Sequence, residues 1–218
     1  MAASGALDSL EERALSTLRE FAAGGPFYVS VSWGKDSVVV AHLASRLDDP
    51  PPLYWFPAGV IENPDCVLVR DAFLARWPLT YQEIPAELTS DEWDRTDGHD
   101  GAQGAFERMS RSAGLRRASG VRAEESGMRR LAMRWHGEAT LTTCRPIGWW
   151  SAEHVFGYLA RYDLPIHPAY AMTMGGTLDR GRVRVGTIGG RLGRSHGRAE
   201  WERAYYGREI AEIARRKS

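Results

Sequence analysis

Cysteine and lysine are both scarce in this chain of 218 residues. Cys66 and Cys144 are the only thiols, and they form no Cys-x-x-Cys pair. Two thiols are too few for a four-cysteine zinc site or an iron-sulfur cluster, so neither is expected, and the sparse usage suits a reducing compartment. Long apolar runs are missing too. None approaches the roughly 18 residues of a membrane-spanning helix, so no membrane partner is expected. The first dozen residues carry Asp8, Glu11 and Glu12 in place of the basic-then-apolar layout of a signal peptide, and the expected location is cytoplasmic.

Lysine is scarcer still relative to its partner cation. Of 28 basic residues only Lys35 and Lys217 are lysine, and the rest are arginine. A lysine kept inside a Gly-Lys-Asp turn points to a site that wants a compact ammonium rather than a planar fork. Net charge is zero, yet unevenly laid out. Glu83 to Asp100 holds seven acids against Arg95 alone, whereas Gly176 to Ser218 holds eleven basic residues against five acids, a net of +6. That basic tail reads either as a solvated face or as a nucleic-acid- or protein-binding edge.

Along the chain, Leu7, Leu10, Ala14, Leu18 and Phe21 predict an amphipathic helix over Leu7 to Ala23, ended by Gly24-Gly25-Pro26. Phe27 to Ser32 reads as a strand, Trp33-Gly34 as a turn, and Lys35 to Leu47 as a largely buried helix. A second strand at Leu53 to Phe56, a helix spanning Val67 to Trp77 and a third strand at Leu79 to Ile84 follow. The alternation predicts an α/β fold: a doubly wound, mainly parallel sheet with helices on both faces. Further on we expect a surface loop from Glu92 to Gly104, a helix near Ala105 to Ala113, a helix over Ala152 to Tyr162 capped by Ser151, a loop or loose hairpin from Gly175 to Gly197 and a last helix from Ala199. Residues 1–170 are expected to form the nucleotide-binding α/β domain, and 171–218 a Gly/Arg-rich loop and helix packed on it.

The turn after the first strand carries the chemistry. A strand that turns directly into a helix presents unpaired backbone N–H groups at the positive end of the helix dipole, a natural anion site. Ser32 and Ser37 add hydroxyl donors, Gly34 permits close backbone approach, and Lys35 adds a full charge. Walker A and Rossmann patterns fail here: Val29 and Asp36 stand where a Walker A needs Gly and Ser/Thr, and the turn has a single glycine. Asp36 is a candidate both for binding a metal and for capping the helix. Trp33 puts a large ring beside the phosphate site or the adjoining helix. Trp149 and Trp150 read as core packing, His42 and His154 as packed or solvated, and both cysteines as half-buried thiols.

Ser32-Trp33-Gly34-Lys35-Asp36-Ser37 resembles the PP-loop of the adenine nucleotide α-hydrolase superfamily, written Ser-Gly-Gly-Lys-Asp-Ser in most members. Gly120-Val121-Arg122-Ala123-Glu124-Glu125-Ser126, Pro146-Ile147 with Trp150, and Leu164-Pro165-Ile166-His167-Pro168-Ala169-Tyr170 are similar to segments of its phosphoadenosine phosphosulfate (PAPS) reductase-like branch. The resemblance implies a soluble enzyme that binds ATP or a related adenine nucleotide with Mg²⁺. Ser32, Trp33, Gly34, Lys35, Asp36 and Ser37 would hold the phosphates, with Arg122 and Glu125 at the ligand, Lys35 and Arg122 catalytic and Asp36 the metal ligand. It also implies an unidentified acceptor and a partner subunit. From spacing alone, Arg122, Glu124, Glu125 and Arg129 also fit a surface ion-pair cluster.

One departure matters. Sulfonucleotide reductases attack sulfur with a C-terminal cysteine, but here Cys144 is the last thiol, and Arg184-Val185-Gly186-Thr187 stands where relatives show Arg-x-Gly-Cys. Three readings follow: cleavage of ATP between its α and β phosphates to adenylate an acceptor, sulfonucleotide reduction without the usual thiol, or a non-catalytic nucleotide-binding subunit with a basic tail.

Overall fold

The computed structural model describes residues 2–85, 110–111, 113–114, 116–189 and 198–216. Its centre is a five-stranded parallel sheet made of β1 (Tyr28–Val31), β2 (Leu53–Trp55), β3 (Tyr81–Glu83), β4 (Arg117–Ser119) and β5 (Thr143–Cys144), in the order β3-β2-β1-β4-β5. The chain lays strands outward from β1 first on one side and then on the other, which is the doubly wound arrangement. It puts the switch point between β1 and β4, where ligands bind beyond the strand carboxyl ends in such sheets.

Six helices accompany the sheet among the described residues: α1 (Ala2–Ala23), α2 (Lys35–Ala44), α3 (Cys66–Arg76), α4 (Gly127–His136), α5 (Ala152–Arg161) and α6 (Arg198–Arg216). Val29, Val31, Leu53, Trp55, Ala118 and Cys144 form the sheet's share of one apolar core, packed with Leu18 and Phe21 of α1, Val39 and Leu43 of α2, Phe73 of α3 and Tyr158 and Leu159 of α5. At about 25 cal/mol per Å² of apolar surface removed from water, this core is the main drive for the fold. α2 is enclosed so thoroughly that nine of its ten residues are buried. A second core lies where Ile61, Ala169, Tyr170, Val185 and Ile188 meet Trp201, Tyr206 and Ile213 of α6. Through it, the segment after residue 170 packs against the strand-end loops.

The strand and helix expectations up to Glu83 match the structure to within a few residues. Ser151 caps α5 by accepting the His154 N–H. Three elements are not predicted from the sequence: β4, β5 and α4. β4 and β5 are only three and two residues long, and α4 follows the Glu124-Glu125 turn. Between 175 and 189 there is no strand, only a 3-10 turn at Arg180–Arg182, so the hairpin alternative fails for those residues. The loop expected from Glu92 to Gly104 lies outside the described residues, as does most of the helix expected near Ala105 to Ala113. No helix among the described residues is long and apolar enough to cross a membrane.

Candidate anion and nucleotide site

β1 ends at Val31, and the chain turns through Ser32, Trp33 and Gly34 into α2. Trp33 makes the turn with φ of 57°, a left-handed conformation that costs a non-glycine residue about 1–2 kcal/mol. Its ring explains why the strain is tolerated. It is fully buried, 5.9 Å from Phe73, 5.7 Å from Tyr81 and 6.5 Å from Trp55 between ring centroids. The ring therefore belongs to the core beneath the turn, and Trp33 offers the turn only its backbone. Gly34 has no room for a side chain: a Cβ there would sit 2.9 Å from Val185 Cγ2 and 3.2 Å from the Tyr170 hydroxyl.

Internal hydrogen bonds fix the turn. The Ser32 N–H donates to Ser37 Oγ at 3.1 Å, and the Ser37 hydroxyl donates to the Gly34 carbonyl at 3.0 Å. The Lys35 N–H donates to the Tyr170 hydroxyl at 3.0 Å. The N-cap residue Gly34 has no side chain to accept from the turn, so apart from the Lys35 N–H taken by Tyr170, the N–H groups of the first turn keep the dipole's positive end available to an anion.

Two cations converge on Asp36 beside this helix end. Lys35 Nζ lies 2.8 Å from Asp36 Oδ2 and 5.3 Å from the centre of the Tyr170 ring. Burial pushes the Lys35 ammonium below its ordinary pKa, and Asp36 opposes the shift. Arg122 approaches from the other side, 1% exposed. Its Nε donates to Asp36 Oδ1 at 2.6 Å, and its Nη1 donates to Glu124 Oε2 at 2.6 Å and to the Trp150 carbonyl at 3.1 Å. Burial raises the Glu124 carboxyl, but the Arg122 hydrogen bond and the Ala152 N–H at 2.8 Å outweigh it, leaving Glu124 below its usual range.

Gly120 makes this convergence possible. A Cβ there would stand 2.6 Å from the Asp36 carbonyl carbon and 2.8 Å from the Ser37 nitrogen, so the end of β4 touches the backbone of α2 directly. Arg122 is thus delivered two residues beyond the point of contact. Glu125 sits one turn away, ion-paired with Arg129 and accepting the Arg122 N–H at 3.4 Å. Arg129 is pushed below its ordinary pKa by burial and then by Arg184, with Arg122 and Arg145 adding to the effect. Several arginines gathered around Arg129 make a field that favours an incoming anion.

Ser32, Gly34, Lys35, Asp36, Ser37 and Arg122 therefore lie together at the switch point. Glu125 is placed to brace Arg122 and Arg129, and the Trp33 ring turns away from the group. Each Asp36 oxygen accepts from one cation in this arrangement, Oδ2 from Lys35 and Oδ1 from Arg122, which leaves each a further lone pair. No group of three or more His, Cys, Asp and Glu side chains suited to a metal occurs among the described residues. Tyr170, Gly120 and Arg184 also belong to the site and were not singled out from the sequence. The Leu-Pro-x-x-Pro-x-Tyr segment held the signal for Tyr170.

The remaining candidates fall elsewhere. Trp150 is buried as expected, but Trp149 is 40% exposed, a correction: its ring faces solvent while its neighbour fills the core. His42 is buried with Nδ1 2.9 Å from the Tyr158 hydroxyl, and His154 caps its own helix. Both thiols are fully buried rather than half-buried. Burial pushes Cys144 up to about 12 and moves Cys66 in the same direction, with Cys66 Sγ 3.7 Å from the Ser32 carbonyl. Neither can supply a thiolate at neutral pH.

Comparison with known proteins agrees with this geometry. A family model described as the phosphoadenosine phosphosulfate reductase domain matches residues 26–190. The chain is 23% identical to the phosphoadenosine 5'-phosphosulfate reductase of a Synechococcus species, the match covering 81% of each chain. It is similar to the crystal structure of PAPS reductase from Candida auris in a phosphate complex, with a TM-score of 0.57 and 15% identity over 76% of this chain and 90% of that one. It is also similar to the NH3-dependent NAD synthetase from Campylobacter jejuni in complex with nitrate, with a TM-score of 0.54 and 13% identity over 97% of this chain and 93% of that one. At such identities the solved structures establish a shared fold.

Proposed function

The chain belongs to the phosphoadenosine phosphosulfate reductase domain family, and from that premise we propose that it binds ATP and cleaves it between the α and β phosphates, transferring AMP to an acceptor and releasing pyrophosphate. The observation that carries this reading is the convergence of the N-terminus of α2, whose N-cap is a glycine, a buried ammonium and a buried guanidinium at one strand edge. An acceptor oxygen or sulfur attacks the α-phosphorus, the bond to the bridging oxygen breaks, and the electron pair leaves with pyrophosphate. Negative charge then grows on the departing phosphates. The Lys35 ammonium and the first-turn N–H groups of α2 that Tyr170 does not take would meet it, and such prearranged donors stabilise a transition state more than a ground state.

Arg122 is positioned by Asp36, Glu124 and the Trp150 carbonyl, so it meets the phosphates or the acceptor without first reorganising. Mg²⁺ would enter on the nucleotide's phosphates, with Asp36 the carboxylate of the turn that could reach it. The buried thiols favour adenylation over sulfonucleotide reduction, which needs an accessible thiolate nucleophile. The test is pyrophosphate release from ATP across a panel of hydroxyl, carboxylate and thiol acceptors. Release that falls at least about a hundredfold in Lys35→Ala supports the reading. Equal release from wild type and variant, or sulfite released from PAPS with added thiol, would sink it.

A further inference from the structure

α4 is unusual among the helices of the described residues because it buries almost nothing. Of its ten residues only Met133 is buried, resting against Gly148, where an added Cβ would come within 2.7 Å of Met133 Sδ. Met128, Leu131 and Trp135, spaced to share one face, are 76%, 49% and 77% exposed. A ten-residue helix is marginal on its own in water and normally owes its stability to packing of its apolar stripe. Here the stripe points outward.

The charges around the stripe are equally unsatisfied. α4 contains Arg129, Arg130, Arg134 and His136 and no acidic residue. Arg129 turns toward the anion site, but Arg130 and Arg134 have no hydrogen-bond or ion-pair partner among the described residues. Other arginines are held in ion pairs, Arg13 with Glu138, Arg46 with Glu11, Arg70 with Glu83 and Arg198 with Glu202, so the charges of α4 stand out by having no acid on the same helix to meet them. An apolar stripe bordered by Arg134, on a helix that is basic and holds no acid, is the complement of an apolar stripe flanked by carboxylates.

We propose that this face of α4 is the docking surface for an acidic amphipathic helix of a partner protein. A second copy of the chain fits worse, because an α4-to-α4 contact would press Arg130 and Arg134 against their symmetry mates. Nucleic acid fits worse as well: Met128 and Leu131 offer neither a stacking ring nor a hydrogen bond, so two of the three exposed apolar side chains would gain nothing. The surface is close to the site. α4 starts at the Ser126 cap, directly after the Ala123–Glu125 turn that carries the carboxylates holding Arg122, and its Arg129 is ion-paired with Glu125 of that turn. A partner seated here stands beside the phosphate turn. The proposal does not depend on which reaction that turn supports.

The test uses the full chain and a synthetic helical peptide with leucines at i, i+3 and i+7 and glutamates flanking them, followed by fluorescence anisotropy. Binding should weaken with salt, fall at least about tenfold in Leu131→Ser/Trp135→Ser, and fall comparably in Arg130→Glu/Arg134→Glu. A lysine-flanked peptide of the same pattern should not bind. All four substituted residues are exposed, so circular dichroism and the melting temperature should stay at wild-type values. Three results would overturn the proposal: no binding of the acidic peptide, binding that neither double variant alters, or a wild-type dimer by light scattering that Leu131→Ser/Trp135→Ser dissolves. Tighter binding of a single-stranded oligonucleotide through the same four residues would overturn it too.

Discussion

Replacing Trp33 separates two opposed contributions at one residue. The ring is fully enclosed by Trp55, Phe73 and Tyr81, and truncating a buried aromatic costs about 3–5 kcal/mol. The backbone, at φ of 57°, stores about 1 kcal/mol that glycine would release. Trp33→Gly should therefore lose about 2–4 kcal/mol, whereas Trp33→Ala, which loses the same ring and keeps the strain, should lose about 1 kcal/mol more. In a chain of this length that corresponds to a fall in melting temperature of roughly 5–15 °C for the glycine variant. Urea unfolding with matched m-values gives the free energies, and ATP titration of the folded fraction gives affinity. The ring touches no part of the anion site, so affinity per folded molecule should stay within about threefold of wild type. An alanine variant more stable than the glycine variant would refute the strain. A glycine variant of wild-type stability that fails to bind ATP would refute the placement of the ring.

Other consequences are as direct. Gly120→Ala drives a methyl into the backbone of Asp36 and Ser37, so it should cost about 1–3 kcal/mol and weaken nucleotide binding far more than a surface Gly→Ala such as Gly207→Ala; titration calorimetry on both variants checks this. Tyr170→Phe removes the acceptor of the Lys35 N–H and should destabilise by about 1–3 kcal/mol, and an unchanged urea midpoint would count against that bond. Burial pushes His42 and His167 each down to about 4. Their folded values lie below the unfolded value near 6.5, so the unfolded chain takes up protons first. Their stabilising effect is complete above pH 6.5 and is lost as pH falls toward 4, about 2 kcal/mol for each at pH 5. A urea midpoint that does not fall between pH 7 and pH 5 would contradict this.

Much of the frame could be read because its signals are local. Val29 and Val31 alternate inward, Gly34 marks the turn, and Ser151 precedes a helix it caps. β4 escaped notice because only Ala118 of its three residues faces the core, and β5 because two residues carry no period. Contacts across the chain were equally hidden. Tyr170 reaches Lys35 from 135 positions away, and Gly120 is explained only by the α2 backbone it touches. The orientation of Trp33 depends on a backbone angle that residue type does not disclose. Trp149 and Trp150 are adjacent and chemically identical, yet the fold sends one outward and the other into the core.

The proposed phosphate site is the turn from Ser32 to Ser37. Calorimetric titration with ATP, adenosine and inorganic pyrophosphate, on wild type and Lys35→Ala, tests it most directly. We predict that ATP and pyrophosphate compete for one site, that adenosine binds at least about tenfold more weakly than ATP, and that Lys35→Ala, still folded, loses about 2 kcal/mol or more of ATP binding. Equal affinities for ATP in wild type and Lys35→Ala, with no competition from pyrophosphate, would contradict it.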